Sequence, residues 1–375
     1  MVFKFMIPYG RQTIDKKDLA AMAAVLKSAY LTQGPKVLEF EAALASYGGA
    51  KYAVACTNGT AALHLAYLAA GLKKGDEVIT TPNTFAATAN MILAVGAKPV
   101  FADIRLDTYN IDEKKIERLI TKKTKAIVPV HFAGQPCAMA DILKIAKKHK
   151  LLVIEDACHA LGAEYKNKKI GSLGSAMTLF SFHPVKPITT GEGGAILTND
   201  GQLYKKLLSL RNHGIHKDAE GKNIMTDLGY NYRLTDIQAA LGVSQLTKLD
   251  KFIKARRQIA GWYKQELPSV KQIILPVEAK DNYSGWHIYT IRIVEKKQRD
   301  DLASYLKEKG IGVNFHYPAV YSHPYYRDHG FRSFQLPNEE IYWHSCLVLP
   351  CYPLLKRSEV KHISRLIKNF YGDKK

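Results

Sequence analysis

Four short stretches place polar or reactive side chains directly after apolar segments, and the first of them runs from Phe180 to Gly194. Here an apolar run ends in Ser181, His183 and Lys186 before a glycine-rich turn. A lysine just beyond a buried strand lies where α/β proteins bind their ligands. A pocket can lower its pKa and leave an amine that forms Schiff bases. A lysine in a solvent-facing loop would show the same spacing, so this stretch alone decides nothing.

The second and third stretches could hold a phosphate and a buried acid. Gly59 and Thr60 follow an apolar run and open an apolar helix. A helix N-terminus offers unpaired N–H groups and a positive dipole end to an anion, although an ordinary cap would look alike. Asp156 closes the very apolar run 151–155. If this carboxylate is buried it needs a protonated ring nitrogen, a metal or an arginine, whereas at a solvent-facing strand end it needs none.

The fourth stretch brings an aromatic residue to another junction between strand and helix. Phe85 follows the apolar run 77–81 and could stack on a planar ring, although core packing explains a single phenylalanine equally well. Together the four junctions supply a lysine, a phosphate cradle, an acid and an aromatic surface. Pyridoxal 5'-phosphate requires this set, because the lysine forms an imine, the acid keeps the pyridine nitrogen protonated and the cradle anchors the phosphate.

The elements that position these residues alternate between strands and helices. Strands are predicted at Tyr52–Cys56, Glu77–Thr81, Pro99–Ile104, Ala126–His131, Leu151–Glu155, Met177–Phe182 and Ala195–Thr198. Helices are predicted near Thr60–Ala70, Phe85–Val95, Asp112–Ile120 and Ala140–His149. Strands this continuously apolar are covered on both faces, and their alternation with helices indicates an α/β domain with a mostly parallel sheet.

The C-terminal third reads as a smaller α/β unit. A helix predicted over 234–267 opens with the capping-box spacing of Thr235 and Gln238 and would join the two units. Beyond it, strands are expected at His287–Val294 and Gly312–His316, and helices at Arg299–Lys309 and Ser358–Phe370. We therefore expect a large domain over residues 1–245 and a small C-terminal domain over 246–375.

Composition and charge limit the classes of function that the protein could have. The 375 residues carry 54 Lys+Arg against 34 Asp+Glu, a net charge of +20, but the lysines are scattered in pairs, which favours a solvated surface or anionic small substrates over nucleic acid. No apolar run approaches the roughly 20 residues of a membrane span. The five cysteines form no CxxC pair, so we expect a cytoplasmic protein with reduced thiols and no metal site.

Several motifs resemble those of the DegT/DnrJ-type sugar aminotransferases over essentially the whole chain. They include Thr32-Gln33-Gly34-Pro35, Asn58-Gly59-Thr60, Glu155-Asp156-Ala157-Cys158-His159, the Phe180–Gly194 stretch, Gly229-Tyr230-Asn231-Tyr232-Arg233 and His316-Tyr317-Pro318. Asn58 stands where the family usually has serine, and Cys158 where alanine is commoner. The resemblance implies a pyridoxal-phosphate enzyme of fold type I, like aspartate aminotransferase, with a large mostly parallel α/β/α sheet domain and a smaller C-terminal α/β domain.

The resemblance also implies roles for individual residues. Lys186 would bind the cofactor covalently and then carry a proton between cofactor and substrate, while Asp156 would pair with the pyridinium nitrogen. Phe85 would stack on the ring, with His159 beside it or bonded to the phenolic oxygen. Gly59, Thr60 and Ser181 would hold the phosphate, joined by Asn231 of a neighbouring subunit in a homodimer. Four further residues are candidates for substrate contact: Arg11, His183, His316 and Tyr317.

Within the family, residues 183–190 and 316–326 most resemble the 4-aminotransferases of pseudaminic acid biosynthesis. These move an amino group from L-glutamate to C4 of a UDP-linked 4-keto-6-deoxy-N-acetylhexosamine. Related sugars remain alternatives, namely those of the 4-amino-arabinose, bacillosamine and perosamine pathways. A dehydratase that uses the same cofactor is another, but such relatives carry histidine at the position of Lys186. A transcriptional regulator and a cofactor-free structural protein are the remaining alternatives, although no helix-turn-helix motif supports the former.

Overall fold

The computed structural model describes residues 7–331 and 336–372. The strands are β1 (Tyr52–Cys56), β2 (Glu77–Thr80), β3 (Lys98–Phe101), β4 (Thr124–Val128), β5 (Leu152–Asp156), β6 (Glu164–Tyr165), β7 (Lys168–Lys169), β8 (Met177–Ser181), β9 (Gly194–Thr198), β10 (Ile215–Lys217), β11 (Asn223–Met225), β12 (Ile273–Ile274), β13 (Asn282–Tyr283), β14 (Tyr289–Ile293) and β15 (Cys346–Leu349). The helices are α1 (Lys16–Leu26), α2 (Pro35–Gly48), α3 (Gly59–Ala69), α4 (Ala87–Ala94), α5 (Met139–His149), α6 (Gly201–Arg211), α7 (Asp236–Leu246), α8 (Leu249–Glu266), α9 (Lys296–Glu308), α10 (Pro324–Asp328), α11 (Pro337–Trp343) and α12 (Arg357–Gly372).

A seven-stranded sheet in the order β1-β9-β8-β5-β4-β2-β3 forms the centre of the larger part. Only β9 runs against its neighbours, so the predicted mostly parallel sheet is confirmed. Alternate residues pack on opposite faces: Ile127 and Phe180 lie in one apolar core, Val128 and Leu179 in the other. Because the strands β1, β2, β5 and β8 point the same way, their carboxyl ends meet at one edge of the sheet.

The helix predicted over 234–267 is in fact two helices, α7 and α8. The capping box at its start is present, since Thr235 and Gln238 bond each other's backbone N–H groups. The break comes at Thr247, whose hydroxyl donates to the Ser244 carbonyl at 2.7 Å and competes with the helical bonding pattern. Lys248, the next residue, pairs with the buried Asp18 at 2.6 Å, which turns the chain away from the axis of α7.

The C-terminal part contains the antiparallel sheet β12-β14-β15, on which α8, α9 and α12 pack around an apolar core of their own. Two local predictions are wrong. Residues 312–316 form no strand but make one bridge, from Asn314 to Val348, because the chain leaves the sheet at once. Residues 112–120 form two short 3₁₀ turns, since Lys115 and Leu119 bond carbonyls three residues back instead of four. The domain boundary at 245/246 stays a prediction.

None of the helices within residues 7–331 and 336–372 combines the length and the apolar character that a membrane crossing needs. The longest, α8, has 18 residues and carries charged side chains along its length. The very apolar α3 has only 11 residues. The buried residues of α3 belong to a core of the central sheet, and those of α8 that lie near its C-terminus belong to the core of the C-terminal part.

Candidate active site

A cavity of about 780 Å³ lies at the edge of the central sheet where the carboxyl ends of its parallel strands meet. Its walls come from the junctions after β1, β2, β5 and β8 and from the segment 314–318 of the C-terminal part. It brings together most of the residues predicted from sequence. Those that line it are Gly59, Thr60, Phe85, Asp156, His159, Ser181, His183, Lys186, His316 and Tyr317.

The carboxylate of Asp156 is buried at the end of β5 and held in place by two donors. Thr88 donates its hydroxyl to Oδ2 at 2.7 Å, and the Cys158 backbone N–H donates to Oδ1 at 3.2 Å. Thr84 lies one turn before Thr88, with their hydroxyl oxygens 2.7 Å apart. Sequence reasoning missed Thr88, although two threonines spaced four apart at the start of an apolar helix were the available signal.

Glu155 lies behind Asp156, on the opposite face of β5. Its carboxylate is completely buried and contacts the His131 ring Nε2 at 2.8 Å, while Thr178 donates to it at 2.9 Å. The His131 backbone N–H also donates to the Asp156 carbonyl at 3.1 Å. The two adjacent carboxylates therefore have different roles. Glu155 connects three neighbouring strands through its contacts, and Asp156 faces the cavity.

Lys186 lies in the loop after β8, where its backbone N–H donates to the His183 carbonyl at 2.9 Å. Burial lowers the pKa of its ammonium group, against the opposing influence of Cys158 and Asp156. A larger share of the lysine is therefore neutral at a given pH than in water, and only the neutral amine is nucleophilic. This is the property that a covalent anchor for a carbonyl compound needs.

The start of α3 forms a cradle that only glycine leaves open. Asn58 caps the helix by accepting the Ala61 N–H at 2.8 Å, so the first amides of the helix have no intrahelical partner. A Cβ on Gly59 would lie 2.9 Å from the Ser181 Cβ and close the gap between the two junctions. The substitution of Asn58 for serine therefore keeps a helix N-terminus that suits a phosphate.

Phe85 is the exposed aromatic residue of the cavity. Its side chain is 62% exposed, and its ring centroid lies 6.1 Å from that of Tyr317. An apolar ring this exposed at the wall of a cavity is available for stacking on a planar ligand. Together with Lys186, Asp156 and the cradle at Gly59, it fits pyridoxal phosphate at each of the four points that this cofactor requires.

Three histidines, His159, His287 and His316, gather where the junction after β5 meets the C-terminal part of the chain. His159 and His287 have ring centroids 4.4 Å apart, and burial lowers the pKa of both well below the usual value. Burial also lowers the pKa of His316, to about 4. All three are therefore neutral near pH 7. His287 was missed from sequence, because nothing in the run 286–289 distinguishes a buried cavity residue from an ordinary strand residue.

Two predicted residues lie outside this cavity. Arg11 is exposed and lines a narrow crevice on the other side of Lys186. Asn231 is exposed and forms a bridge with Asn212, and it faces no part of the cavity of its own chain. The residues 7–331 and 336–372 contain no group of three or more histidine, cysteine or acidic side chains able to hold a metal ion.

The family model described as DegT/DnrJ/EryC1/StrS aminotransferase family matches residues 12–368. The chain belongs to this family. It is 43% identical to a Campylobacter jejuni UDP-4-amino-4,6-dideoxy-N-acetyl-beta-L-altrosamine transaminase, over 96% of each chain. It is 41% identical to the Bacillus subtilis spore coat polysaccharide biosynthesis protein SpsC, over 97% of this chain and 96% of that one.

The fold agrees with a solved structure from Helicobacter pylori, PseC, an aminotransferase involved in the biosynthesis of pseudaminic acid. The two superpose with a TM-score of 0.93 and 36% identity, over 98% of this chain and 99% of that one. Family and fold confirm that the chain is a sugar aminotransferase of fold type I with pyridoxal phosphate as its cofactor.

Proposed function

We propose that this aminotransferase moves the amino group of L-glutamate to C4 of a UDP-linked 4-keto-6-deoxy-N-acetylhexosamine, as a UDP-4-amino-4,6-dideoxy-N-acetyl-β-L-altrosamine transaminase of pseudaminic acid biosynthesis. The observation that carries the proposal is one cavity that holds Lys186, with its lowered pKa, and the buried Asp156. The likeness to the Campylobacter and Helicobacter enzymes supports the choice of sugar. The reaction would take place in the cytoplasm.

The bound cofactor supplies an electron sink that stabilises negative charge on the carbon next to the transferred nitrogen. Lys186 would supply the amine that attaches the cofactor, and it would also be the base and acid that moves a proton between the reacting carbons. Burial serves both roles, because it lowers the pKa of this lysine toward the pH at which proton transfer runs in both directions.

The other residues bind and orient. Asp156, fixed by Thr88 and the Cys158 N–H, keeps a proton on the ring nitrogen. The amides of Gly59 and Thr60, with the Ser181 hydroxyl, take the phosphate. Phe85 would cover one face of the ring, with His159 beside it.

The substrate side of the cavity is formed by His183, His316 and Tyr317, with Arg11 in the adjoining crevice. We assign these four residues to contacts with the nucleotide sugar or with glutamate. The net charge of +20 favours the capture of both, since each is an anion.

We further propose that the enzyme is a homodimer with shared active sites. Asn231 faces away from the cavity of its own chain, as expected of a residue that reaches the phosphate of a partner subunit. Exposed apolar side chains on α1, on α2, on the connection between them and on the segment 224–228 offer contact area: Leu19, Leu26, Tyr30, Leu31, Leu38, Met225 and Leu228. Asn231→Ala should then weaken cofactor binding without altering any contact within its own cavity.

The proposal is tested with ¹⁵N-labelled L-glutamate and a panel of UDP- and GDP-linked 4-keto sugars. We expect ¹⁵N at C4 of the UDP-linked N-acetylated 6-deoxy sugar, at a higher kcat/KM than for 4-keto-arabinose, bacillosamine-type or perosamine-type substrates. A faster reaction with one of those sugars would reassign the substrate. A product that has lost a hydroxyl and carries no label would make the protein a dehydratase.

A further inference from the structure

Both ring nitrogens of His159 are already engaged, and their partners fix where its proton is. The backbone N–H of Ala133 donates to Nδ1 at 3.3 Å, so Nδ1 carries no proton. Burial, with Lys186 and His316 nearby, lowers the pKa of the ring well below its usual value. The ring is therefore neutral and its one proton is on Nε2, which lies 3.2 Å from the hydroxyl oxygen of Tyr317.

The position of this proton fixes the direction of the hydrogen bond between His159 and Tyr317. Nε2–H must donate and the Tyr317 oxygen must accept, so the phenolic proton of Tyr317 points away from His159. In the part of the chain that the structure describes, the Tyr317 hydroxyl has no other hydrogen-bond partner, and its side chain lines the cavity. The hydroxyl proton of this half-buried side chain is therefore available to a ligand that enters the cavity and displaces water from it.

We propose that Tyr317 is oriented by His159 to donate a hydrogen bond to an anionic oxygen of whatever occupies the cavity. This rests on the proposed function and adds to it: Tyr317 becomes a directed donor rather than a general contact. His159 then acts through Tyr317 and is a positioning residue as well as a neighbour of the ring.

The surroundings keep Tyr317 in the form that can donate. Burial raises the pKa of its hydroxyl, and the nearby Asp156 raises it further, with smaller contributions from Tyr9 and Cys158. His316, its chain neighbour, is neutral near pH 7 because burial lowers its pKa to about 4. The charge of Lys186 lowers the pKa values of His159 and His316 further. The phenol therefore stays protonated through the whole pH range in which the enzyme would work.

Two anionic oxygens could accept this proton. One is the phenolate of the bound cofactor, and the other is a carboxylate of L-glutamate. Each is an anionic oxygen that would accept a hydrogen bond from the Tyr317 hydroxyl. A hydrogen bond to a charged acceptor is stronger than one between two neutral groups. They differ in when the bond is made, before or after the amino donor binds, and this difference separates them by experiment.

The test is Tyr317→Phe in the enzyme loaded with pyridoxal phosphate, which removes the hydroxyl and keeps the ring. Tyr263→Phe is the matched control, since its hydroxyl is also buried and donates to the Pro350 carbonyl at 3.1 Å, outside the cavity. The pH midpoint of the visible absorption of the bound cofactor is measured without glutamate. The KM for glutamate is measured with the keto-sugar in excess.

If the cofactor phenolate is the acceptor, losing the donor makes that oxygen a stronger base, and the midpoint rises by about 0.5–1 pH unit. If the glutamate carboxylate is the acceptor, the midpoint is unchanged and the KM rises about tenfold. Tyr263→Phe should move neither quantity. A Tyr317→Phe enzyme that also moves neither would overturn the proposal.

A second measurement needs no variant of Tyr317. In the ¹⁵N-histidine NMR spectrum of the wild-type holoenzyme, the signal of His159 is assigned by its absence from His159→Gln. The proposal requires the neutral tautomer with the proton on Nε2, and an Nδ1–H tautomer or an imidazolium at pH 7 would contradict it. If wild-type absorbance does not respond to glutamate at all, the proposed function fails, whereas the tautomer still tests the orientation of Tyr317.

Discussion

The two walls of the active-site cavity are built in different ways. One wall consists of junctions after β1, β2, β5 and β8, in which each side chain is held by the strand it follows and, after β1 and β2, by the helix it precedes. The other is the segment 314–318, which has no regular secondary structure and is tied to β15 by the bridge of Asn314 with Val348. The first wall carries Asp156, Gly59 and Lys186, and the second carries His316 and Tyr317.

The difference follows from where the hydrogen bonds come from. Along the junction wall, the side chains are held by elements of the larger part, as in the Asn58 cap at 2.8 Å and the Thr88–Asp156 contact at 2.7 Å. The segment wall is held from the C-terminal part, where the Tyr342 hydroxyl donates to the His316 carbonyl at 2.6 Å. We therefore expect the junction wall to govern the cofactor and the chemistry, and the segment wall to govern ligand contact and acid sensitivity.

The largest effect should come from Lys186→Ala, in the junction wall. It removes both the amine that anchors the cofactor and the group that moves the proton, so we expect kcat to fall by about 10⁴-fold or more. Turnover is measured by the appearance of 2-oxoglutarate. Lys144→Ala, an exposed lysine on α5, is the control and should retain full activity. A Lys186→Ala enzyme within tenfold of wild type would move the chemistry to another residue.

The contrast between the two walls also explains which features of the structure could be predicted from the sequence. The strands of the central sheet, the acid Asp156 and the cradle at Gly59 were predicted because the patterns that form them are local. Residues 312–316 were predicted as a strand from their apolar content and are not one, since their position depends on β15, more than 30 residues away. The place of His287 in the cavity and the hydrogen bond between His159 and Tyr317 could not be predicted, because they arise from contacts between distant segments.

A smaller effect is expected from Thr88→Val, which tests whether Asp156 must be held by a hydroxyl. The change keeps the shape of the side chain and leaves the carboxylate without its 2.7 Å donor. Losing one hydrogen bond to a charged group costs about 1.5–3 kcal/mol, so cofactor affinity should fall by about tenfold or more. Affinity is measured by fluorescence titration of the apoenzyme. Thr198→Val loses a comparable buried bond, to the Ala176 carbonyl at 2.8 Å, and should bind normally.

His323→Ala should separate the two walls in one experiment. His323 lines the mouth of the cavity and an adjoining hollow of about 460 Å³, on the same side as the segment wall. We expect KM for the nucleotide sugar to rise about fivefold, the cost of roughly one lost hydrogen bond, with cofactor affinity unchanged. The exposed His329, which lines neither space, is the matched control. A fall in cofactor affinity would show that the walls are not independent.

The smallest expected effect is on stability in mild acid, and it belongs to the segment wall. Burial lowers the pKa of His316 to about 4 in the folded chain, whereas an unfolded histidine titrates near 6.5. Between these two values the unfolded chain binds more protons than the folded one, so folding stability must fall as the pH drops from about 6.5 to about 4. His159 and His287 act in the same direction, because burial lowers their pKa values as well.

Replacing His316 by glutamine removes one of these groups, so the loss of stability on acidification should be shallower than in wild type. We expect the drop in Tm between pH 7 and pH 5 to be about 2–3 °C smaller than in wild type, because the pKa difference of His316 is worth roughly 2 kcal/mol over this range and about 1 kcal/mol shifts the Tm of a 375-residue chain by about 1.3 °C. His344→Gln is the control, since His344 is exposed at the protein surface and should leave the slope unchanged. If His316→Gln lost stability as steeply as wild type, the acid sensitivity would arise at the junction wall instead, and the contrast between the walls would be limited to binding.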